Sequence, residues 1–156
     1  MSRKRRHAGR RVVLDPIYGN HKIGKFINKV MIDGKKQIAQ RIVYDALTRL
    51  SEMVNEPVLE AFEKVLKQAA PLMEVKSRRV GGSTYQVPVD VSPDRGYSLA
   101  VRWLINNSRA KTGKPFYIRL SEELVDTYNK VGSTIKKREE AHKMAEANKA
   151  FSHFRW

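Results

Sequence analysis

Cysteine is absent from the 156-residue chain. That excludes disulfides and thiolate zinc sites and fits a reducing compartment. No apolar run approaches the roughly 18 residues of a membrane-spanning helix, so the chain is expected to be soluble and to leave the membrane alone. Acids are scarce, with 16 Asp and Glu against 31 Lys and Arg, for a net charge of +15 and an isoelectric point near 10.2. A surplus of that size points to a polyanionic partner rather than to solubility alone. Enzyme signatures are missing as well: there is no phosphate-binding loop, no nucleophile elbow and no metalloprotease helix. The four histidines are scattered. Glu139 and His142 have an E-x-x-H spacing, but a helical di-metal site needs further inward carboxylates on partner helices. No catalytic residue, metal or cofactor is therefore expected. What remains is a chain of 41% hydrophobic residues, enough to fill the core of one ordinary domain.

The opening "MSRKRRHAGRR" carries Arg3, Lys4, Arg5, Arg6, Arg10 and Arg11 without an acid, and has no apolar segment of the secretory kind. An organellar transit peptide would share the composition, but this stretch is short and lacks an amphipathic face. Residues 1–14 read as a basic arm, disordered on its own because it cannot bury enough apolar area to offset its ordering entropy. Residues 15–156 read as a helical domain.

From Asn20, Ile23, Phe26, Ile27, Val30 and Met31 recur on one helical face and Gly34 supplies a stop. Lys22, Lys25 and Lys29 fall on the opposite side, and Lys35 and Lys36 carry the charge into a second helix, about Lys35 to Val54. Its stripe is Ile38, Ala39, Ile42, Val43, Ala46, Leu47 and Leu50. A third helix begins after Pro57, with Val58, Phe62, Val65, Leu66 and Ala69 inward, and ends at Pro71.

Residues 73–91 alternate as a β-hairpin. A three-residue loop at Gly81, Gly82 and Ser83 separates polar from apolar faces best. It places Met73, Val75, Tyr85, Val87 and Val89 together and sets Lys76 and Arg78 apart from them. A Gly-Gly loop is the commoner connection but mixes those groups. The expected register is therefore the three-residue one. A lone ribbon is marginal in water, so helices or a partner must brace it. Lys76, Arg78, Arg79, Gly81, Gly82 and Tyr85 are its candidate contact residues, and Tyr85 and Trp156 could stack on bases, whereas Phe26 and Trp103 suit the core.

A fourth helix follows Ser92 and Pro93, with Arg95, Arg102 and Arg109 recurring along one line. Lys111 and Lys114 flank the break at Gly113 and Pro115, and a fifth helix places Phe116, Leu120, Leu124, Val125 and Tyr128 inward. The last helix, from Ser133 to about Ala150, bears Lys136, Lys137 and Arg138. Its thin apolar face of Ile135, Met144, Ala145 and Phe151 is expected to pack on another molecule. Any one of these stripes could be a merely solvated face. Arm, helices and ribbon all bear one sign, however, and together point to nucleic acid. The fold expected is mainly α, a single domain of about six helices with a protruding two-stranded hairpin between the third and fourth.

Three stretches in order, "FINKVMIDGKK" (Phe26 to Lys36), "VKSRRVGGSTYQVPV" (Val75 to Val89) and "HKMAEANKAFSHFRW" (His142 to Trp156), resemble the family of small ribosomal subunit protein seven, of bacterial or organellar type. Asp15 to Tyr18 and "LAVRWL" (Leu99 to Leu104) extend the likeness over nearly the whole chain, with departures between Asn106 and Ile118 and at Thr127, Tyr128 and Asn129. The resemblance implies a non-enzymatic ribosomal protein that binds the three-prime major domain of small-subunit ribosomal RNA and starts assembly of the subunit head. The ribbon would lie near exit-site tRNA and mRNA, and the last helix toward platform protein eleven. Head proteins nine, thirteen and nineteen would be further neighbours, and some members of the family also repress their own message. The protein would be a monomer within the ribosome, in the cytoplasm, or in the matrix or stroma if organelle-encoded. The competing reading is a winged-helix-like DNA-binding regulator, with the ribbon as wing and a basic helix in the major groove.

Overall fold

Apolar residues at helical spacing, not long hydrophobic runs, build this molecule, and the computed structural model describes residues 14–154 of it. The arm cations Arg3 to Arg11 and Trp156 lie outside the described residues. Elements follow in the order α1 (His21–Val30), α2 (Lys36–Val54), α3 (Val58–Ala69), β1 (Met73–Val80), β2 (Ser83–Asp90), α4 (Pro93–Ala110), α5 (Phe116–Tyr128) and α6 (Gly132–Ala147), then a 3-10 turn at Lys149–Phe154. The fold is mainly helical with one antiparallel hairpin between α3 and α4.

Asn20 starts α1 by accepting from the amides of Lys22 (2.7 Å) and Ile23 (3.4 Å), the capping that its short polar side chain favours. Ile23, Phe26, Ile27 and Val30 are buried, while Met31 only caps the end. One cluster joins α1 to α5 through Phe26, Phe62, Leu47, Leu50, Leu104, Leu120 and Leu124, and the Phe26 and Phe62 rings lie 5.3 Å apart. Four sequence expectations need correction here. Ile38 is exposed and Ile42 only half-buried, so the stripe of α2 is narrower than its apolar residues imply. Trp103 is half-buried rather than core, because Val101, Leu104 and Ile105 take the inward side of α4.

The hairpin register is the third correction. Val80 pairs with Ser83, Arg78 with Tyr85 and Lys76 with Val87, around a two-residue loop of Gly81 and Gly82. Their φ values of 56° and 89° are those of a turn that needs positive φ twice and matches the strand twist. Parity fixes a register only where a ribbon has one apolar face. Val87, Pro88 and Val89 are all buried, so at its base the ribbon is covered on both sides and alternation carries no information. Lys76 tolerates this register because Glu74, on the same face, pairs with it at 3.3 Å.

Nor does α6 run on to about Ala150. It ends at Ala147, and Asn148 turns the chain by donating from its side chain to the Met144 carbonyl at 2.8 Å. α6 packs on the ribbon, α4 and α5 of its own chain. The His142 Nε2 accepts from the Leu72 amide at 3.0 Å.

The join from α5 to α6 is a tight one. Lys130 adopts φ 59° and donates to the Thr127 carbonyl (3.0 Å), while Val131 donates to that of Asp126 (2.8 Å). This is the paired pattern of a left-handed helix stop. Gly132 follows at φ 92°, where a Cβ would stand 2.8 Å from that of Asp126. Gly132→Ala is expected to cost about 2 kcal/mol, or about 4–8 °C in Tm, from positive-φ strain and that clash. Thermal unfolding checks it.

Asp15, buried, accepts from the amides of Ile17 (3.2 Å) and Tyr18 (2.9 Å) and from the Tyr44 hydroxyl (2.6 Å). The knot pins the start of the domain to α2. Burial and the Asp15 carboxylate push the Tyr44 phenol up from 10.0 to about 12. A group whose folded pKa is raised contributes stability that is complete below its unfolded pKa and lost as pH climbs through the folded one. Urea unfolding is therefore expected to show stability falling between pH 10 and about 12, less steeply in Tyr44→Phe.

Candidate nucleic-acid interface

Packing sorts the cations into those used inside the fold and those presented outward. On α1, Lys22 pairs with Glu63 (2.9 Å) and the Lys25 ammonium lies 5.9 Å from the Tyr97 ring centre. Lys29 is exposed in the last turn. Lys35 and Lys36 are exposed at the start of α2, which has no acid in its first turn and no side chain on its first amides. The positive end of that helix therefore adds to theirs. Asp33 and Gly34, at φ 52° and 73°, make the turn that places this pair directly after α1.

The arginine line on α4 divides. Arg95 donates twice to Glu74, at 3.2 and 3.0 Å, tying the ribbon base to the helix. Burial opposes the Glu74 charge, but Arg95 and Lys76 outweigh it and hold that carboxyl below its usual range. Arg102 is exposed. Arg109 reaches back to the Val30 carbonyl at 3.0 Å, and its guanidinium stands 5.9 Å from the Phe116 ring centre. Arg119, absent from the sequence candidates, caps α4 by donating to the carbonyls of Arg109 and Lys111, and its guanidinium lies 5.6 Å from the centre of the same Phe116 ring. Nothing in its spacing could have shown this, since it follows from how α5 folds against the end of α4.

The result is a groove of about 340 Å³ floored by Val30, Ile32, Ala39, Ile42 and Phe116, with Lys35, Arg109 and Arg119 on its rim. Lys29 and Lys36 adjoin it along the chain. Three segments, at the start of α2, the end of α4 and in α5, thus bring cations to one place. A second groove, between α1, α3 and the start of α4, collects Lys22 and Lys25 with Lys64 and Lys67, two further cations that the sequence reading did not select. Glu60, Glu63 and Asp94 line it too, so its net charge is lower.

Other candidates stand apart. Lys111 is drawn inward by Glu123 (2.8 Å) and Asp126 (3.3 Å). Burial works against its charge, but the bonds and charges of Glu123 and Asp126 win and hold the ammonium above its ordinary range. Lys114 pairs with Glu122 (2.5 Å) and Lys137 with Glu140 (3.1 Å). Arg138 donates to the Gln68 carbonyl, and Lys136 is exposed. On the ribbon, Arg79, Gly81 and Gly82 are exposed at or near the tip, and Arg78 lies across from Tyr85. The Tyr85 ring packs 5.3 Å from that of Phe151 and 4.9 Å from that of Phe154. The ring that could stack on a base thus already packs on rings of its own chain.

Among the described residues no group of His, Asp and Glu could hold a metal ion, and no helix is long and apolar enough to cross a membrane. A model of the family described as ribosomal protein S7p/S5e matches residues 2–149. Curated relatives named small ribosomal subunit protein uS7 are similar over nearly their whole length. That of Chlamydia caviae is 57% identical over 97% of this chain and 99% of its own. Those of Petrotoga mobilis and Moorella thermoacetica are each 52% identical, covering 99% and 100% of both chains respectively.

Proposed function

The chain belongs to the S7p/S5e family of ribosomal proteins, and from that membership we propose that it binds the three-prime major domain of small-subunit ribosomal RNA and organises the subunit head. The observation that carries this reading is the convergence of Lys35, Arg109 and Arg119 on one apolar-floored groove, with Lys29 and Lys36 beside it. Lysine and arginine neutralise phosphates that RNA folding brings together, and the helical core keeps those cations at fixed separations. Side chains cannot read the deep groove of A-form RNA, so specificity comes from the shape of a junction and its unpaired bases.

The ribbon then extends toward exit-site tRNA and mRNA, and proteins nine, eleven, thirteen and nineteen are the neighbours this placement implies. The role is architectural, exercised in the ribosome, with repression of its own message as a second use of the same RNA-binding surface. Binding of the purified chain to a folded three-prime-domain fragment, against excess duplex DNA and unrelated structured RNA, tests the reading. Resistance to both competitors supports it; equal loss to either reduces the protein to a generic polycation and favours the DNA regulator instead.

A further inference from the structure

A two-stranded ribbon cannot hold its own direction in water, and this one must be aimed by what touches it. At its base the hold is strong: Val87, Pro88 and Val89 are buried, and Arg95 on α4 clamps Glu74. Toward the tip, Ser83, Thr84 and the glycine pair are exposed. Tyr85 is the last side chain of β2 with cover, and that cover is the pair of rings from Phe151 and Phe154, at 5.3 and 4.9 Å. His153 packs on Phe154 in turn, at 4.0 Å.

The segment that brings these rings, Lys149–Phe154, contains no buried residue and is absent from the central cluster. Phe151 and Phe154 therefore contribute little to holding the domain folded. Their position is nevertheless constructed: Asn148 ends α6 and turns the chain into a 3-10 segment that comes back onto β2. Directly across the ladder from Tyr85 is Arg78, and from Thr84 is Arg79. The rings thus sit at the level of the ribbon's outer cations.

We propose that Phe151 and Phe154 are positioning residues, which fix the direction of the ribbon through Tyr85 and so set where Arg78 and Arg79 meet the RNA. The second half of this statement rests on the ribosomal RNA reading; the first half does not. Tyr85 serves as an internal anchor for its ring, not as a platform for a base. Without the rings the ribbon swings about its base. Its cations still attract phosphates, but no longer at one separation from those on α1 and α2, so selectivity suffers more than general affinity.

Because the chain has no cysteine, a pair of spin labels at Thr84→Cys and Thr48→Cys, both exposed positions, reports the distance from ribbon to body without interference. In the otherwise unchanged chain the distribution is expected to be narrow, and in Phe151→Ala/Phe154→Ala broad, with Tm moved little. Phe154→Tyr and Tyr85→Phe keep their rings and should keep the narrow distribution. An unchanged distribution in the double alanine variant would overturn the proposal, as would a general loss of the thermal transition in that variant, which would make the rings structural. In RNA binding, preference for the three-prime-domain fragment over unrelated structured RNA should fall about tenfold, the size expected for losing two ring pairs. Retained preference despite a broadened ribbon would overturn the second half alone. A parent chain with no preference at all would instead sink the ribosomal RNA reading, with the label distances still judging the brace.

Discussion

Replacing Glu123 with alanine is expected to destabilise the protein by about 3 kcal/mol, the largest effect foreseen for any polar side chain in it. Glu123 is fully buried, and its two carboxyl oxygens face different partners. Its Oε1 accepts from the Thr134 amide at 2.9 Å and from the Thr134 hydroxyl at 2.7 Å, and its Oε2 faces the Lys111 ammonium at 2.8 Å. One carboxylate therefore fastens the first turn of α6 and the end of α4 to the middle of α5. Hydrogen bonds to a charged group are worth about 1.5–3 kcal/mol each, and buried donors stripped of their acceptor add a desolvation penalty.

Alanine removes both bonds to Thr134, whereas Lys111 can still turn to Asp126 and water, which caps the loss. In a chain of this size about 3 kcal/mol corresponds to roughly 6–12 °C in Tm. Glu123→Gln keeps an acceptor oxygen for Thr134 but sacrifices the ion pair, so an intermediate loss of about 1–2 kcal/mol is expected. Calorimetry on both variants checks the order; a glutamine variant as unstable as the alanine one would show that the ion pair, not the Thr134 cradle, dominates.

The second large effect concerns binding. Lys29→Ala/Lys35→Ala/Lys36→Ala removes three exposed cations for which no acid partner is seen among the described residues. If each neutralises one phosphate, the log-log dependence of affinity on salt should become shallower by about 2–3, since each contact contributes roughly 0.7–0.9 to the slope. Counterion release vanishes near 1 M salt. Extrapolated from there, the same slopes make each lysine worth about 0.6–0.7 decades of affinity at 0.15 M, or about a hundredfold for all three. Folding should be untouched because the side chains are in water. As a contrast, Lys114→Ala and Lys137→Ala should change the slope far less, because Glu122 and Glu140 already neutralise those charges. Equal effects from the two sets would mean that only total charge matters. Filter or anisotropy titrations across a salt series measure both.

Helix positions were readable because burial imposes a period on them. Ile23, Phe26, Ile27 and Val30 repeat at the spacing of one face, and Pro57, Pro71, Pro93 and Pro115 punctuate at or beside helix ends. The same logic failed where its premise failed. Hairpin parity presumes one wet face, and the ribbon base has none; the two glycines were the better guide. The thin apolar face of α6 is used in part inside the chain, where Ile135 and Ala145 are buried, while Met144 stays exposed. In both cases the missing information was tertiary.

Charge was legible in sign and not in availability. Counting cations cannot tell that Lys111 is taken by Glu123, twelve positions on, or Arg95 by Glu74, across the hairpin. Those pairs have no helical or strand period to announce them. Arg119 shows the converse: it joins the groove only because α5 packs on the last turn of α4. The family likeness supplied the partner, and the packing indicates which cations are free to meet it.

The central claim is that fixed cations on a rigid helical body recognise one folded RNA. Its most direct test is the affinity of the full chain for a three-prime-domain fragment across a salt series, with unrelated structured RNA as competitor. Contact with roughly ten phosphates predicts a log-log slope of about minus seven to minus nine, together with a preference for the fragment that persists as salt rises. A shallow slope, or a preference that disappears as salt rises, would contradict it.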